Sequence, residues 1–516
     1  MVSESGNLLK ESNNLFKKNP PIPPLAKGGG GGFFNAVIEK GILFLLIFTP
    51  LVFGTVQQWS IAVMEIMAFI IFGAWLLKLE AESREPKAES RERRTERLHK
   101  PFLLIFPVSL ILIAVFQIIP LPDHLLTVIS PSTSRLYKTF ADDTASAWRT
   151  ISIYQSATID DIFKLIAYTV IFLVIINHYK TKTQVNSLAR AIVYMGCFLV
   201  VFAVVQKMTW NGRLFWFYPV SEGLNSDMGH IWGPYINHSH FAGYMEMSIP
   251  LALGLLLYKA SNIKKSLPGI PLSKRIANLS DSRSLLPMAL LSVAVLIMSG
   301  AIFLSLSRGG IIGFTASMLF FTLITRTRRT LRKKTGIILM AGILIFSVVL
   351  VAGWDRIEDR FEEIGEEGRI ARPDIWKDAV NMARDFPVFG TGLGTFESIY
   401  PQYQTKYSRL LFEHAENDYI EILTDTGFAG LMIVIAMIFF FFYKIIKSWR
   451  QRHNNFVKCM AAAGLASCAA IAVHGFTDFN MRIPANALLL TVIAALTFAT
   501  VYNVHESREH RAEGGE

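Results

Sequence analysis

Residues 390–446 read GTGLGTFESIYPQYQTKYSRLLFEHAENDYIEILTDTGFAGLMIVIAMIFFFFYKII, and the change of character along that stretch decides the fold class. From Gly390 to Leu431 the chain is polar and rich in His, Glu, Asp and Tyr. From Gly427 onward it becomes an apolar run of about 20 residues, the length that crosses a bilayer core. A long polar insertion that keeps helical periodicity and aromatic residues reads as an ordered functional loop and not as a disordered linker.

The apolar signature recurs along the whole chain. With 52% hydrophobic residues and 38 Phe among 516, the composition excludes an ordinary soluble domain. Twelve segments reach spanning length: 36–56, 59–78, 101–119, 162–178, 188–206, 241–258, 286–305, 309–325, 335–353, 427–446, 457–475 and 484–502. The expected fold is an all-α polytopic membrane protein of about 12 transmembrane helices with a large helical periplasmic loop. Residues 1–35, with the low-complexity run NPPIPPLAKGGGGGFF, form an expected disordered cytoplasmic segment without a cleavable signal peptide. Residues 36–353 hold transmembrane helices 1–9, 354–426 the periplasmic loop, 427–502 helices 10–12 and 503–516 a cytoplasmic tail.

Lys and Arg set the orientation. Eight lie in 78–100, six in 259–285 and six in 326–334, while Lys444, Lys447, Arg450 and Arg452 follow the tenth span. All fall on one side if both termini are cytoplasmic, which leaves 120–160, 207–240, 354–426 and 476–483 outside. The net charge of +11 is therefore an orientation signal. Spread over separate loops, the basic residues make no single nucleic-acid-binding face. Cys197, Cys459 and Cys468 sit inside expected spans with no C-x-x-C spacing, an arrangement that suggests neither a disulfide nor a metal site.

The outer segments carry the candidate chemistry. Segment 120–160 reads as an interfacial helix, with His124 and Arg135 as surface residues. Segment 207–240 is dense in aromatics such as Trp210, Trp216 and Trp232, which suit a membrane-interface belt or a sugar-stacking platform. Its His230, His238 and His240 have no adjacent acidic residue, so no metal site is expected there. Arg308 breaks the positive-inside pattern beside Gly309 and Gly310, which favours an anion-binding role over an arginine snorkelling to lipid phosphate.

In the large loop, Ile357, Phe361 and Ile364 mark a surface helix. A second helix starts at Pro373 and stops before Pro387, and Gly390, Gly392 and Gly394 make a flexible turn. A third helix runs from His414 to Thr426 with Gly427 closing it. On that helix His414, Asn417 and Glu421 share a face, flanked by Glu416 and Asp418. A histidine beside a carboxylate suits general-base catalysis, and an ordinary polar helix face gives the same pattern.

The order of the motifs is more specific than any one of them. Gly-Pro-Tyr-x-Asn-x-x-x-Phe-Ala stands at 233–242, Ser-Arg-Gly at 307–309, and Arg372-x-x-x-Trp376 and Pro387-x-x-Gly-x-Gly-x-Gly-x-Phe396 follow. Then come Glu-Asn-Asp-Tyr-Ile-Glu-Ile-Leu-x-x-x-Gly-x-x-Gly at 416–430 and His474-x-x-x-Asp478-Phe-Asn. Over residues 190–500 this resembles the O-antigen ligase and O-antigen polymerase (Wzy-type) superfamily.

The resemblance implies a GT-C-like, metal-independent, inverting glycosyltransferase of the bacterial inner membrane that uses no cofactor. Its partners would be an undecaprenyl-diphosphate-linked glycan donor, a lipid or glycan acceptor and membrane lipids, with no nucleic acid. By the same resemblance Arg308 and Arg372 hold the diphosphate and stabilise charge on the leaving group. Asn417, Tyr419, Trp376 and Asn237 are candidate sugar or acceptor contacts. The family pattern places a histidine before the Asn, where this chain has Glu416; His414 lies two residues earlier. The base is then His414 supported by Glu416, or Glu416 itself. Rival readings are a flippase or transporter of lipid-linked oligosaccharide, a protein O-oligosaccharyltransferase and a non-catalytic export component. A transporter calls for ionisable residues in mid-span, for which Glu65 and Glu246 are the candidates.

Overall fold

The computed structural model describes residues 30–84, 102–140, 148–219, 233–266, 285–327, 372–406 and 411–504. Fifteen α-helices lie among them. The first seven are α1 (Gly30–Leu51), α2 (Gln58–Arg84), α3 (Ile105–Ile118), α4 (Asp123–Ile129), α5 (Pro131–Phe140), α6 (Gln155–His178) and α7 (Lys182–Met208). Then come α8 (His238–Ser266), α9 (Leu285–Leu304), α10 (Arg308–Arg326), α11 (Arg372–Asp385), α12 (Phe396–Ile399), α13 (Asp418–Gln451), α14 (Asn455–His474) and α15 (Pro484–Tyr502). Two pairs of two-residue strands are also described: Leu121–Pro122 with Trp148–Arg149, and Arg213–Leu214 with Tyr218–Pro219.

The chain is an all-α polytopic membrane protein. Nine of the described helices are long and apolar enough to cross a bilayer, and Phe102–Ile118 is a shorter apolar helix. Eleven expected spans coincide with described helices. The span expected at 335–353, the surface helix expected around 357–364, and His230 and Trp232 lie outside the described residues. The first helix begins at Gly30, inside the segment expected to be disordered, whose residues 1–29 are also outside.

Packing follows side-chain size. Lipid offers no hydrophobic force between helices, so small residues that let backbones close together mark the interior. α14 reads NFVKCMAAAGLASCAAIAVH, and 83% of its spanning window is buried, against 17% for the Phe- and Ile-rich α13. A Cβ on Gly464 would lie 1.8 Å from Thr497 Oγ1, and one on Gly254 would lie 2.6 Å from the Ala463 Cβ. α14 is thus pressed against α15 and α8. Caps set the helix starts. Asn454 accepts from Phe456 and Val457 N–H, Ser307 from Gly310 N–H, and Asn417 from Tyr419 and Ile420 N–H.

The Asn417 cap corrects one sequence expectation. α13 starts at Asp418, so His414 and Glu416 lie ahead of the helix and not on its face. Gly427 does break the helical geometry (φ 66°, ψ −169°), but the helix resumes directly and runs on into the span. The 386–390 turn plugs the gap: Phe428 N–H donates to Pro387 O at 2.8 Å and Ala429 N–H to Val388 O at 3.2 Å. The glycine turn after it is tightly packed, not flexible. A Cβ on Gly390 would lie 2.3 Å from the Asp425 backbone and one on Gly392 2.6 Å from Ser152 Oγ. Gln117 of α3 stitches this turn to α13, donating to Phe389 O and Asp425 O and accepting from Leu393 N–H.

One buried cation gathers this end of the bundle. Arg482, in the turn between α14 and α15, donates through Nε to Glu421 Oε1 at 2.8 Å and through a terminal nitrogen to Asp161 Oδ2 at 2.6 Å. Its other terminal nitrogen pairs with Asp425. Burial works against its charge, and Glu421, Asp425 and Asp161 together outweigh burial and hold its pKa above the ordinary arginine value.

Arg482→Gln leaves three buried carboxylates short of their cation, so a loss of about 3–5 kcal/mol is expected; it is read as a collapse in monodisperse detergent-solubilised yield. Gly427→Ala forces a side chain to φ 66° with a Cβ 2.2 Å from Val388 O. An expected destabilisation of about 1–3 kcal/mol shows as a lower midpoint of thermal unfolding.

Candidate active site

The segment 411–417 crosses the polar end of the bundle just before α13. His414 Nδ1 lies 2.8 Å from Glu421 Oε1, and Glu421 Oε2 accepts the Ala415 N–H at 2.9 Å. Glu421 therefore fixes both the imidazole and the backbone beside it. A carboxylate on Nδ1 makes that nitrogen the donor and leaves Nε2 as the acceptor that a general base needs. Burial disfavours the protonated ring, but Glu421 more than offsets this, and the His414 pKa lies above the ordinary 6.5. The imidazole is 27% exposed, enough to meet a substrate.

Glu416 has a different partner. Its carboxylate lies 2.8 Å from a terminal nitrogen of Arg372, at the start of α11, and its carbonyl accepts from Trp376 Nε1 at 3.3 Å. The backbone there adopts φ 55°, a left-handed conformation rare for residues other than glycine. Burial lifts the Glu416 pKa to about 6 against the pull of Arg372. The support expected of Glu416 for His414 thus comes from Glu421, while Glu416 serves Arg372.

Arg372 also reaches the 476–483 turn. The same terminal nitrogen lies 3.3 Å from Asp478 Oδ2, and the other donates to Thr477 O. Asp478 is fully buried; its Oδ1 accepts the Phe479 N–H at 2.8 Å and lies 3.2 Å from His240 Nε2. Burial alone would raise the Asp478 pKa, but His240, His474 and Arg372 hold it well below the ordinary carboxylate value. The acidic partner missing from the sequence around His240 is therefore supplied from the far end of the chain. The Phe479 ring stacks on His414 (centroids 4.3 Å apart, planes 27°) and meets the His240 ring edge-on at 4.7 Å.

Arg308 opens α10 behind its Ser307 cap. The adjoining Gly309 packs against Thr477 Oγ1 and His474, each 2.6 Å from where its Cβ would be. Arg372 and Gly309, the residue after Arg308, thus approach the same residue, Thr477, from different helices. His474 Nδ1 lies 3.1 Å from Glu246 Oε1, both side chains fully buried. Gly313, one turn beyond Gly309, faces that carboxylate: its Cβ would stand 2.4 Å from Glu246 Oε2. The glycines after Arg308 make room for this buried pair.

Of the residues singled out from sequence, His414, Glu416, Arg372 and Trp376 form one group, and Arg308 adjoins it through Gly309 and Thr477. Asn417 and Tyr419 are nearby, but their polar atoms serve the fold: Asn417 Nδ2 donates to Phe476 O at 2.7 Å and Tyr419 OH to Ala472 O at 2.6 Å. Asn237 Oδ1 accepts the Ser239 N–H at the start of α8. Arg482, Phe479 and His240 were missed as site residues. The available signals were an arginine between two spans on the side poor in basic residues, and the Asp-Phe-Asn run already noted at 478–480.

The family comparison covers the centre of this arrangement. A family model described as O-antigen ligase matches residues 293–435. Among curated proteins none matches the chain. The matched stretch holds Arg308, Arg372, His414, Glu416 and Glu421, and their partners Asp478 and Arg482 lie beyond it. The similarity to an O-antigen ligase domain thus extends over residues 293–435 of this all-α membrane protein.

Proposed function

We propose that this protein transfers a glycan from an undecaprenyl-diphosphate carrier to an acceptor hydroxyl on the periplasmic face of the bacterial inner membrane, without a metal ion. The observation that carries the reading is the His414–Glu421 pair at 2.8 Å, which the Asp478–Phe479 turn links to the guanidinium of Arg372. The acceptor hydroxyl gives its proton to His414 Nε2, and its oxygen attacks the anomeric carbon from the face opposite the diphosphate. The carbon–oxygen bond to the diphosphate breaks, and its electron pair leaves on the phosphate oxygen. Arg308 and Arg372 stabilise that charge, and Glu421 stabilises the imidazolium.

Two further features support the reading. A cavity of about 360 Å³ between α3, α6, α13, α14 and α15 has apolar walls, including Leu110, Phe172 and Phe441, and ends at Lys164, Asp161 and Arg482. That is the shape a lipid-linked donor calls for: hydrocarbon walls with a polar end. The basic segments also attach to the helix ends away from the site: Lys78 lies late in α2, Lys259 lies late in α8, and Arg326 closes α10. By the positive-inside rule the site then faces the periplasm. A ligase, a polymerase and a protein glycosyltransferase would share this donor chemistry. A deletion strain separates the first two: single repeats on lipid A mean a lost polymerase, and free carrier-linked polymer means a lost ligase.

With purified donor and acceptor, His414→Gln is expected to lower kcat by roughly 100-fold or more, the range for loss of a general base. Glu416→Gln is expected mainly to change the donor KM, because Glu416 shares Arg372 with the diphosphate. A larger kcat loss in Glu416→Gln than in His414→Gln would move the base to Glu416. The wild-type rate should rise with pH through a midpoint above 6.5, the ordinary histidine value, since His414 must be deprotonated to act and its pKa is raised. A midpoint near 6 would again indicate Glu416.

A further inference from the structure

One hydrogen bond to Nδ1 fixes the direction of an imidazole but leaves the ring free to rock about that bond. For His414, whose Nε2 must face an acceptor hydroxyl, the remaining freedom matters. The Phe479 ring lies against the flat face of the imidazole, with centroids 4.3 Å apart and planes inclined by 27°. Phe479 is itself held from two sides. Its N–H is bound by the fully buried Asp478, and its ring abuts the buried His240, which also lies 3.2 Å from Asp478.

We propose that Phe479 is a positioning residue for glycan transfer: its ring, anchored by Asp478 and His240, sets the plane of the His414 imidazole so that Nε2 meets the acceptor hydroxyl. The inference rests on His414 being the base. Its wider consequence lies in Asp478, which also touches Arg372. The base and the anion-binding arginine take their positions from one buried carboxylate, so the hydroxyl to be deprotonated and the leaving group to be stabilised share a common reference point.

The test compares Phe479→Leu with Phe479→Tyr, each purified as a monodisperse protein and assayed with an undecaprenyl-diphosphate-linked glycan across pH. Leucine keeps an apolar side chain but removes the flat face. Its kcat should fall roughly 10- to 100-fold, the penalty of a misoriented catalytic group, while the donor KM stays unchanged. The acid limb of its pH profile should move to higher pH, because a better hydrated imidazole holds its proton more readily. The charged and titratable groups around that ring, Glu421, Glu413, Glu416, Arg482 and His240, are the same in both variants. Tyrosine restores the ring face and should recover most of the rate and the original pH midpoint. A wild-type kcat in Phe479→Leu, equal losses in both variants, or a loss confined to KM would overturn the inference. If His414→Gln remains active, the base assignment fails and this inference fails with it; if His414→Gln is inactive while Phe479→Leu is normal, only this inference fails.

Discussion

The guanidinium of Arg482 is the constraint on which the outer end of the molecule depends. Three carboxylates from two helices, Asp161 of α6 with Glu421 and Asp425 of α13, converge on one cation in the turn that joins α14 to α15. None of the four charges could be left alone at that depth without a cost of several kcal/mol, so the three segments are held together. Glu421 belongs to two systems at once. It accepts from Arg482 and from His414, so the contact that closes the fold also orients the proposed base.

Much of the fold was legible because a bilayer imposes a length. A span must be about 20 apolar residues, and that requirement shows in a single sequence without reference to any partner. The loop helix at Arg372–Asp385 was legible for a local reason too, with Pro373 in its first turn and Pro387 just past its end. His414 and Glu421 were expected to share a helix face, with Glu416 as the carboxylate supporting the histidine. The expected helix carrying both does not include His414; the two meet because Asn417 caps α13 and the preceding segment doubles back over its first turns. The remaining contacts had no local signature. Arg482 and Asp161 are separated by 321 residues, and such pairs carry no period to be read from sequence. The glycines at 390, 392 and 394 suggested looseness from sequence, yet they are packed tightly against Asp425, Ser152 and Asp161.

The departure from the family pattern at Glu416 has a structural counterpart. A left-handed turn at that residue aims its carboxylate at Arg372, while the histidine two positions earlier takes Glu421. The two groups that sequence offered as alternative bases thus face different neighbours. One is paired with a cation that an incoming diphosphate would also seek. The other is bound to a carboxylate through one nitrogen and is only partly exposed.

The glycines of α10 constrain how this protein can change over time. Gly309 and Gly313 lie one turn apart and press on the two halves of the buried Glu246–His474 pair. Removing one member strands a buried charge, whereas replacing both with apolar groups of matching volume removes the need for either. Any larger residue at 309 or 313 requires a smaller pair behind it. Positions 246, 309, 313 and 474, drawn from three helices, are therefore bound to vary as a set, and an alignment of related chains should show them as one covarying unit that spans the boundary of the matched domain.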